Sequence, residues 1–166
     1  MSLSKDARIT DMQNALVLTR KRLGDCAIDT AEFDPCEADF SNIRNTTWLE
    51  LQRECYVEPE RYFSGIRYRL SGRGWLACIE AAGQLDDFKI QLGPIMRELK
   101  ASVKGRRGPA FEYLDSLASG AGVSVDFAYN VVESDAIGYV LGRHGVKWEH
   151  RGKMICIDED FGLEPL

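Results

Sequence analysis

Arg61, Arg67, Arg69 and Arg73 fall within residues 61–73 with no acidic residue among them, in a chain whose formal net charge is −5. Tyr68 and Trp75 are interleaved with or follow them. Guanidinium groups beside aromatic rings suit contact with phosphates together with stacking on bases. The alternation of Ile66, Tyr68 and Leu70 with Arg67 and Arg69 predicts a strand with one basic, solvent-facing edge. Ser71 stands at a helix N-cap position ahead of an apolar run from Trp75 to Ala82.

Two further basic clusters exist. Lys100, Lys104, Arg106 and Arg107 sit at a helix end and the turn after it, where dipole compensation and solvation account for them. Arg143, His144, Lys147, His150, Arg151 and Lys153 surround a C-terminal hairpin signal, diluted by Glu149, Asp158, Glu159 and Asp160. The nucleic-acid-binding candidates are therefore Arg61, Arg67, Arg69 and Arg73 in the first half, and Arg143, Lys147, Arg151 and Lys153 in the second. The competing structural account is a solvated strand face, with arginines covering apolar surface or pairing with Glu54, Glu58 and Glu60.

Enzymatic chemistry finds little footing. The chain has two histidines, His144 and His150, and contains no nucleophile elbow, phosphate-binding loop or metalloprotease helix motif. Ser119-Gly120-Ala121-Gly122 follows a helix rather than a strand and reads as a helix stop. The carboxylates Asp29, Glu32, Asp34, Glu37 and Asp39 match no calcium-loop spacing. The five cysteines are widely spaced, without the close pairs of a zinc or redox site. Cys55, Cys78 and Cys156 sit in apolar patterns that predict buried free thiols. No catalytic residue, metal or cofactor is assigned.

The elements that must position the arginines read as follows. Asp6 to Leu23 carries Ile9, Met12, Leu16 and Leu23 at helical spacing and ends at Gly24. Residues 25–47 read as a long acidic loop with one short helix. A second helix starts near Thr46 and Thr47 and runs through Cys55. Tyr56 and Val57 begin a hairpin whose tip is Pro59 to Gly65, and Ile66 to Leu70 is the returning strand. The helix after Ser71 stops at Gly83. Residues 84–104 form a further helix, kinked or divided at Gly93-Pro94. Pro109 opens a helix carrying Phe111, Leu114 and Leu117; Ser124 caps the next, and Ser134 a third carrying Ile137 and Val140. Val146 to His150 and Lys153 to Ile157 form a hairpin around Arg151-Gly152, with Trp148, Ile155 and Ile157 facing a core.

Tyr68-Arg69-Leu70-Ser71-Gly72-Arg73-Gly74 resembles the Tyr-x-Leu-Thr-x-x-Gly signature of many bacterial winged-helix transcription regulators. In those proteins it marks the second wing strand passing into the next helix. Leu51 to Val57 resembles the end of the recognition helix and the first wing strand of the same fold, so the resemblance covers about residues 46–82. It implies a wing carrying Arg61, Arg67 and Arg69 against phosphates or a minor groove. Where that fold has a compact helical pair before the recognition helix, this chain has the acidic stretch 25–45.

Charge tempers the picture. Residues 1–83 carry 11 basic and 13 acidic groups, and residues 105–166 carry 6 and 10. Free-standing DNA-binding modules are usually basic. With 45% hydrophobic and 28% charged residues, and a polar start lacking the apolar core of a secretory signal, the chain reads as a globular cytoplasmic protein. The expectation is a mainly helical α+β protein of two small winged-helix-like units, 1–83 and 105–166, joined by the helical segment 84–104. Its expected role is non-enzymatic regulation, either binding duplex DNA through basic wings or acting as an adaptor for a protein partner. The apolar helix 84–99 is the expected surface for a homodimer.

Overall fold

Ser4 opens the first helix, its Oγ accepting from the Ala7 N–H at 3.2 Å and so satisfying one donor that a helix start leaves unpaired. In the computed structural model, which describes residues 4–103, 110–137, 148–151 and 154–157, this helix α1 spans Lys5–Leu23. Arg20, Lys21 and Arg22 complement its C-terminal dipole, and the Gly24 N–H closes it on the Arg20 carbonyl. The buried stripe is Ala15, Leu16, Thr19 and Leu23, whereas Ile9 is 45% exposed. The N-terminal half of α1 instead lines an open groove of about 490 Å³ with Tyr56, Ala77 and Ala81.

The stretch expected to be a long acidic loop contributes to the core. Glu32–Phe33 forms a strand, β1, and Ala38–Phe40 a 3-10 turn; Ile28, Phe33 and Phe40 are all buried. Helix α2 spans Asn45–Arg53, capped by Arg44 rather than by Thr46 or Thr47, and stops short of Cys55. Cys55 takes a left-handed conformation (φ 60°) and is exposed, in contrast to the buried thiol expected there. Its position at the turn off α2, and not its apolar neighbours, decides this. Cys78 is buried as expected, and burial pushes its thiol up to about 12.

Strands β2 (Val57–Tyr62) and β3 (Gly65–Leu70) form an antiparallel hairpin closed by the pair Tyr62 and Gly65. The expected tip, Pro59 to Gly65, is therefore mostly strand. Pro59 lies on the edge strand, where the missing N–H removes little. Helix α3 spans Gly72–Ala81 and is capped by Ser71 as its sequence implies. The sheet order is β1-β3-β2, with Phe33 opposite Tyr68 and Val57 opposite Leu70. α1 packs on α2, on α3 and on the 3-10 turn. Four of the buried rings form a cluster. Phe33 and Phe40 lie 5.3 Å apart, Phe40 meets Trp48 edge-on at 5.3 Å, and Trp48 stacks on Tyr68 at 5.7 Å.

The chain divides into two compact units, Met1–Leu85 and Asp86–Leu166. The second begins with α4, Leu85–Val103, one helix that runs through Pro94 without dividing. Pro94 deprives the carbonyl of Ile90, an exposed residue, of its donor, at a cost of about 3 kcal/mol. Burial of Phe88, Leu92, Ile95, Met96 and Leu99 outweighs it, at roughly 1.5–3 kcal/mol for each large apolar side chain. Ala110–Tyr113 is a strand, β4, where the sequence predicts the opening turn of a helix. Pairing of Phe111 with Cys156 on the central strand overrides the helical spacing of Phe111, Leu114 and Leu117. Helices α5 (Leu114–Ala121) and α6 (Val125–Glu133) follow. Gly122 ends α5 in the left-handed conformation, and Ser124 Oγ accepts from the Phe127 N–H at 3.1 Å to start α6.

Ser134 closes α6, and helix resumes at Ala136 and Ile137, so the helix expected there begins just beyond the cap that the sequence implies. Ala136 and Ile137 beyond it are buried, and the expected continuation through Val140 lies outside the described residues. Strands β5 (Trp148–Arg151) and β6 (Met154–Ile157) form the C-terminal hairpin, and the sheet order is β4-β6-β5. The side chains of Trp148, Ile155 and Ile157 lie outside the described residues. The protein is α+β and mainly helical. Among the described residues no helix is long and apolar enough to cross a membrane.

Candidate nucleic-acid interface

The hairpin is fixed at its base by the residues of the Leu-Ser-Gly-Arg-Gly segment. The Ser71 N–H donates to the Tyr56 carbonyl at 3.1 Å, and Ser71 Oγ accepts from the Gly74 N–H at 3.0 Å while donating to the Cys55 carbonyl. Gly74 faces the Tyr56 backbone so closely that a Cβ there would overlap the Tyr56 carbonyl oxygen. The signature is therefore a joint between α3 and the start of β2, with glycine required by close approach. These atoms position the arginines; they do not themselves offer a ligand anything.

From that base, β3 sorts its side chains by face. Tyr68 and Leu70 are buried, and burial pushes the Tyr68 phenol upward. Arg67 is exposed and Arg69 partly so, as the alternation predicts, but Ile66 is 43% exposed and belongs to the tip rather than the core. The four first-half candidates then separate into two classes. Arg69 pairs with the Glu60 carboxylate, a diagonal neighbour across the strands, and also donates to the Asp29 carbonyl at 3.2 Å. Arg73 lies 3.8 Å from Glu54, with its guanidinium 5.3 Å over the Tyr56 ring. Arg61 and Arg67 are exposed and make no ion pair among the described residues; Arg67 sits 5.8 Å over the Tyr62 ring. Tyr62 in turn donates its hydroxyl to the Glu32 carboxylate (2.8 and 3.1 Å to the two oxygens), which holds the phenol above its ordinary value.

Sequence reasoning missed two sets of residues. The first is the outer face of α2. With Thr47, Trp48 and Leu51 buried, Arg44, Asn45, Thr46, Leu49, Gln52 and Arg53 are left exposed. The spacing of the three buried positions would have identified this face. The second is Phe63, which stands at the hairpin turn as the most exposed large apolar side chain described. Together, residues 44–73 carry six arginines against four glutamates, a local positive balance inside a net-negative chain.

Among the second-half candidates, Arg151 is placed by its backbone in β5, opposite Met154, while Arg143, Lys147 and Lys153 lie outside the described residues. The carboxylates of the 25–45 stretch are dispersed into structural roles. Glu32 holds Tyr62, Glu37 accepts from Arg22 at 2.9 Å, and Asp34 accepts from the Cys36 N–H at 2.8 Å. No group of three or more metal-ligating side chains is assembled among the described residues. The apolar positions of 84–99, from Phe88 to Met96, are buried within the chain, leaving Ile90 exposed at 74%. No protein-family model matches the chain, and no curated protein or solved structure matches it either.

Proposed function

We propose that this chain is a non-enzymatic regulatory protein whose first unit binds duplex DNA. The β2–β3 hairpin acts as a basic wing, and the exposed face of α2 lies against the duplex beside it. The observation that carries the reading is the pair Arg61 and Arg67, exposed near the hairpin tip without a carboxylate partner among the described residues. Support also comes from the element order helix, short strand, helix, hairpin, with the last strand central in the sheet; this agrees with a winged-helix arrangement in each unit. One observation favours the adaptor reading instead. Arg69 and Arg73 are already engaged by Glu60 and Glu54, which reduces the charge left for phosphates.

A fluorescence anisotropy titration with mixed-sequence duplex at low and moderate salt separates the two. The expected result is salt-dependent binding, in which Arg61→Ala with Arg67→Ala lowers the log–log salt slope by roughly two. Arg69→Ala is expected to change the slope much less. Absence of duplex binding by the unmutated protein at low salt overturns the DNA reading, because screening is then too weak to hide even non-specific association.

A further inference from the structure

Phe63 is 115% exposed, more than in an extended reference chain, and its neighbours Tyr62 and Ile66 are 49% and 43% exposed. Burying such a ring stabilises a fold, so the hairpin forgoes that gain at its most projecting point. Turn geometry does not call for it, since tight hairpin turns favour glycine, asparagine and aspartate. Two side chains near it are held. Tyr62 is tied to Glu32, and Arg67 stacks over Tyr62. Arg61 pairs with Ile66 in the strand register, one step below the closing pair Tyr62 and Gly65. The result is one unheld apolar ring beyond two exposed cations, on a ribbon whose base is locked.

This juxtaposition fits a base step approached from the minor groove. A groove about 6 Å wide is too narrow for two strands about 4.8 Å apart with their side chains, but it admits a turn. Cations beside the turn meet the flanking phosphates, and an apolar side chain at its end enters between bases and unstacks them. A bilayer fits less well. One ring buries far less apolar surface than a myristoyl chain, which by itself gives only marginal membrane binding.

We infer that Phe63 is a wedge that enters a base step and kinks the duplex. The inference rests on the DNA-binding reading above, and adds to it that the bound DNA is deformed. The test uses the full-length chain and a duplex labelled at both ends for energy transfer, with 2-aminopurine at successive steps. Binding of the unmutated protein is expected to shorten the end-to-end distance and raise 2-aminopurine fluorescence at one or two steps. In Phe63→Ala both signals are expected to vanish and affinity to fall about ten- to a hundredfold, the range for loss of one base–aromatic stack. The salt slope is expected to stay unchanged, because the ring displaces no counterion. Phe63→Trp is expected to restore both signals. An unchanged melting temperature in Phe63→Ala shows that the fold is intact. The inference is overturned if the unmutated protein binds duplex without changing either signal, or if Phe63→Ala kinks DNA as well as the unmutated protein does. Anisotropy on the same samples separates these results from loss of duplex binding altogether, which overturns both the wedge and the reading beneath it.

Discussion

The two units are built to one plan and filled differently. Each runs helix, short strand, helical segment, hairpin, with α3 added after the hairpin in the first, and in each the last strand of the three lies between the other two. In the first unit a 3-10 turn, Ala38–Phe40, stands where the second has the two-turn helix α5, and a cluster of large rings occupies the interior. In the second, one ring pair, Phe88 and Phe127 at 5.9 Å, is buried along with the smaller α5 and α6 side chains Leu117, Ala118, Ala128 and Val131. A short turn brings few side chains inward, so each must be large; a helix brings more, and they can be small. The hairpins differ as well. The first has strands of six residues and the second of four. A shared topology thus carries two hairpins of different length.

The comparison breaks most sharply at Trp48. It touches Phe33, Phe40 and Tyr68 at ring distances of 5.3–5.7 Å, so Trp48→Ala is expected to cost about 3–5 kcal/mol. The check is chemical denaturation followed by backbone amide signals assigned to each unit. Losses confined to residues 4–85 are expected, and equal losses in α5 and α6 would show that the aromatic cluster does not belong to the first unit alone.

A glycine from each unit sharpens the contrast at intermediate size. In Gly74→Ala the new methyl meets the Tyr56 backbone, which cannot swing aside, and the expected cost is roughly 1–3 kcal/mol or more. In Gly120→Ala the methyl meets the Glu98 carboxylate, the free end of a flexible side chain. That variant is expected to stay within about 0.5 kcal/mol of the parent, since alanine also favours the helix. Equal melting-temperature shifts for the two would contradict the assignment of Gly74 to a backbone joint.

The smallest effect concerns a device in the first unit, the pair that ties α1 to the start of its 3-10 turn. Arg22 donates to Glu37 at 2.9 Å, which lowers the Glu37 carboxyl below its ordinary value and raises Arg22. A lowered carboxyl contributes its stability above the ordinary carboxylate range, about pH 4.3, and loses it as pH falls through the lowered value. Arg22→Ala is expected to move the Glu37 titration upward by NMR. It should weaken the first unit slightly near neutrality and leave acid-state stability unaltered. An unmoved Glu37 titration would show that the pair has no hold on the turn.

What could be read from the sequence follows from how local each feature is. The caps at Ser71 and Ser124 and the C-terminal hairpin depend on residues within a few positions of one another; the structure has both caps where the sequence puts them, and the hairpin one residue later, with Arg151 in β5 rather than in the turn. Strands β1 and β4 were invisible because a two- or four-residue strand exists only through its partner, β3 or β6, far along the chain. The sequence predicts too short a first hairpin because Glu58, Pro59, Arg61 and Tyr62 show no alternation. β2 is an edge strand, and beyond Val57 it is mostly exposed. The arginines were legible as a cluster, but the partition between them was not. Whether Arg69 reaches Glu60 depends on strand register, which the sequence alone leaves open.

The joint at Ser71 and Gly74 also bears on how freely this protein could change its binding habits. The backbone joint of the hairpin lies at its root, and toward the tip Glu32 holds Tyr62, while Arg61, Phe63, Ser64, Ile66 and Arg67 are exposed. Exposed substitutions usually move stability by no more than about 0.5 kcal/mol. The tip is therefore an interchangeable cassette on a fixed mount, open to being rewritten by drift or by an engineer while the fold that presents it stays the same.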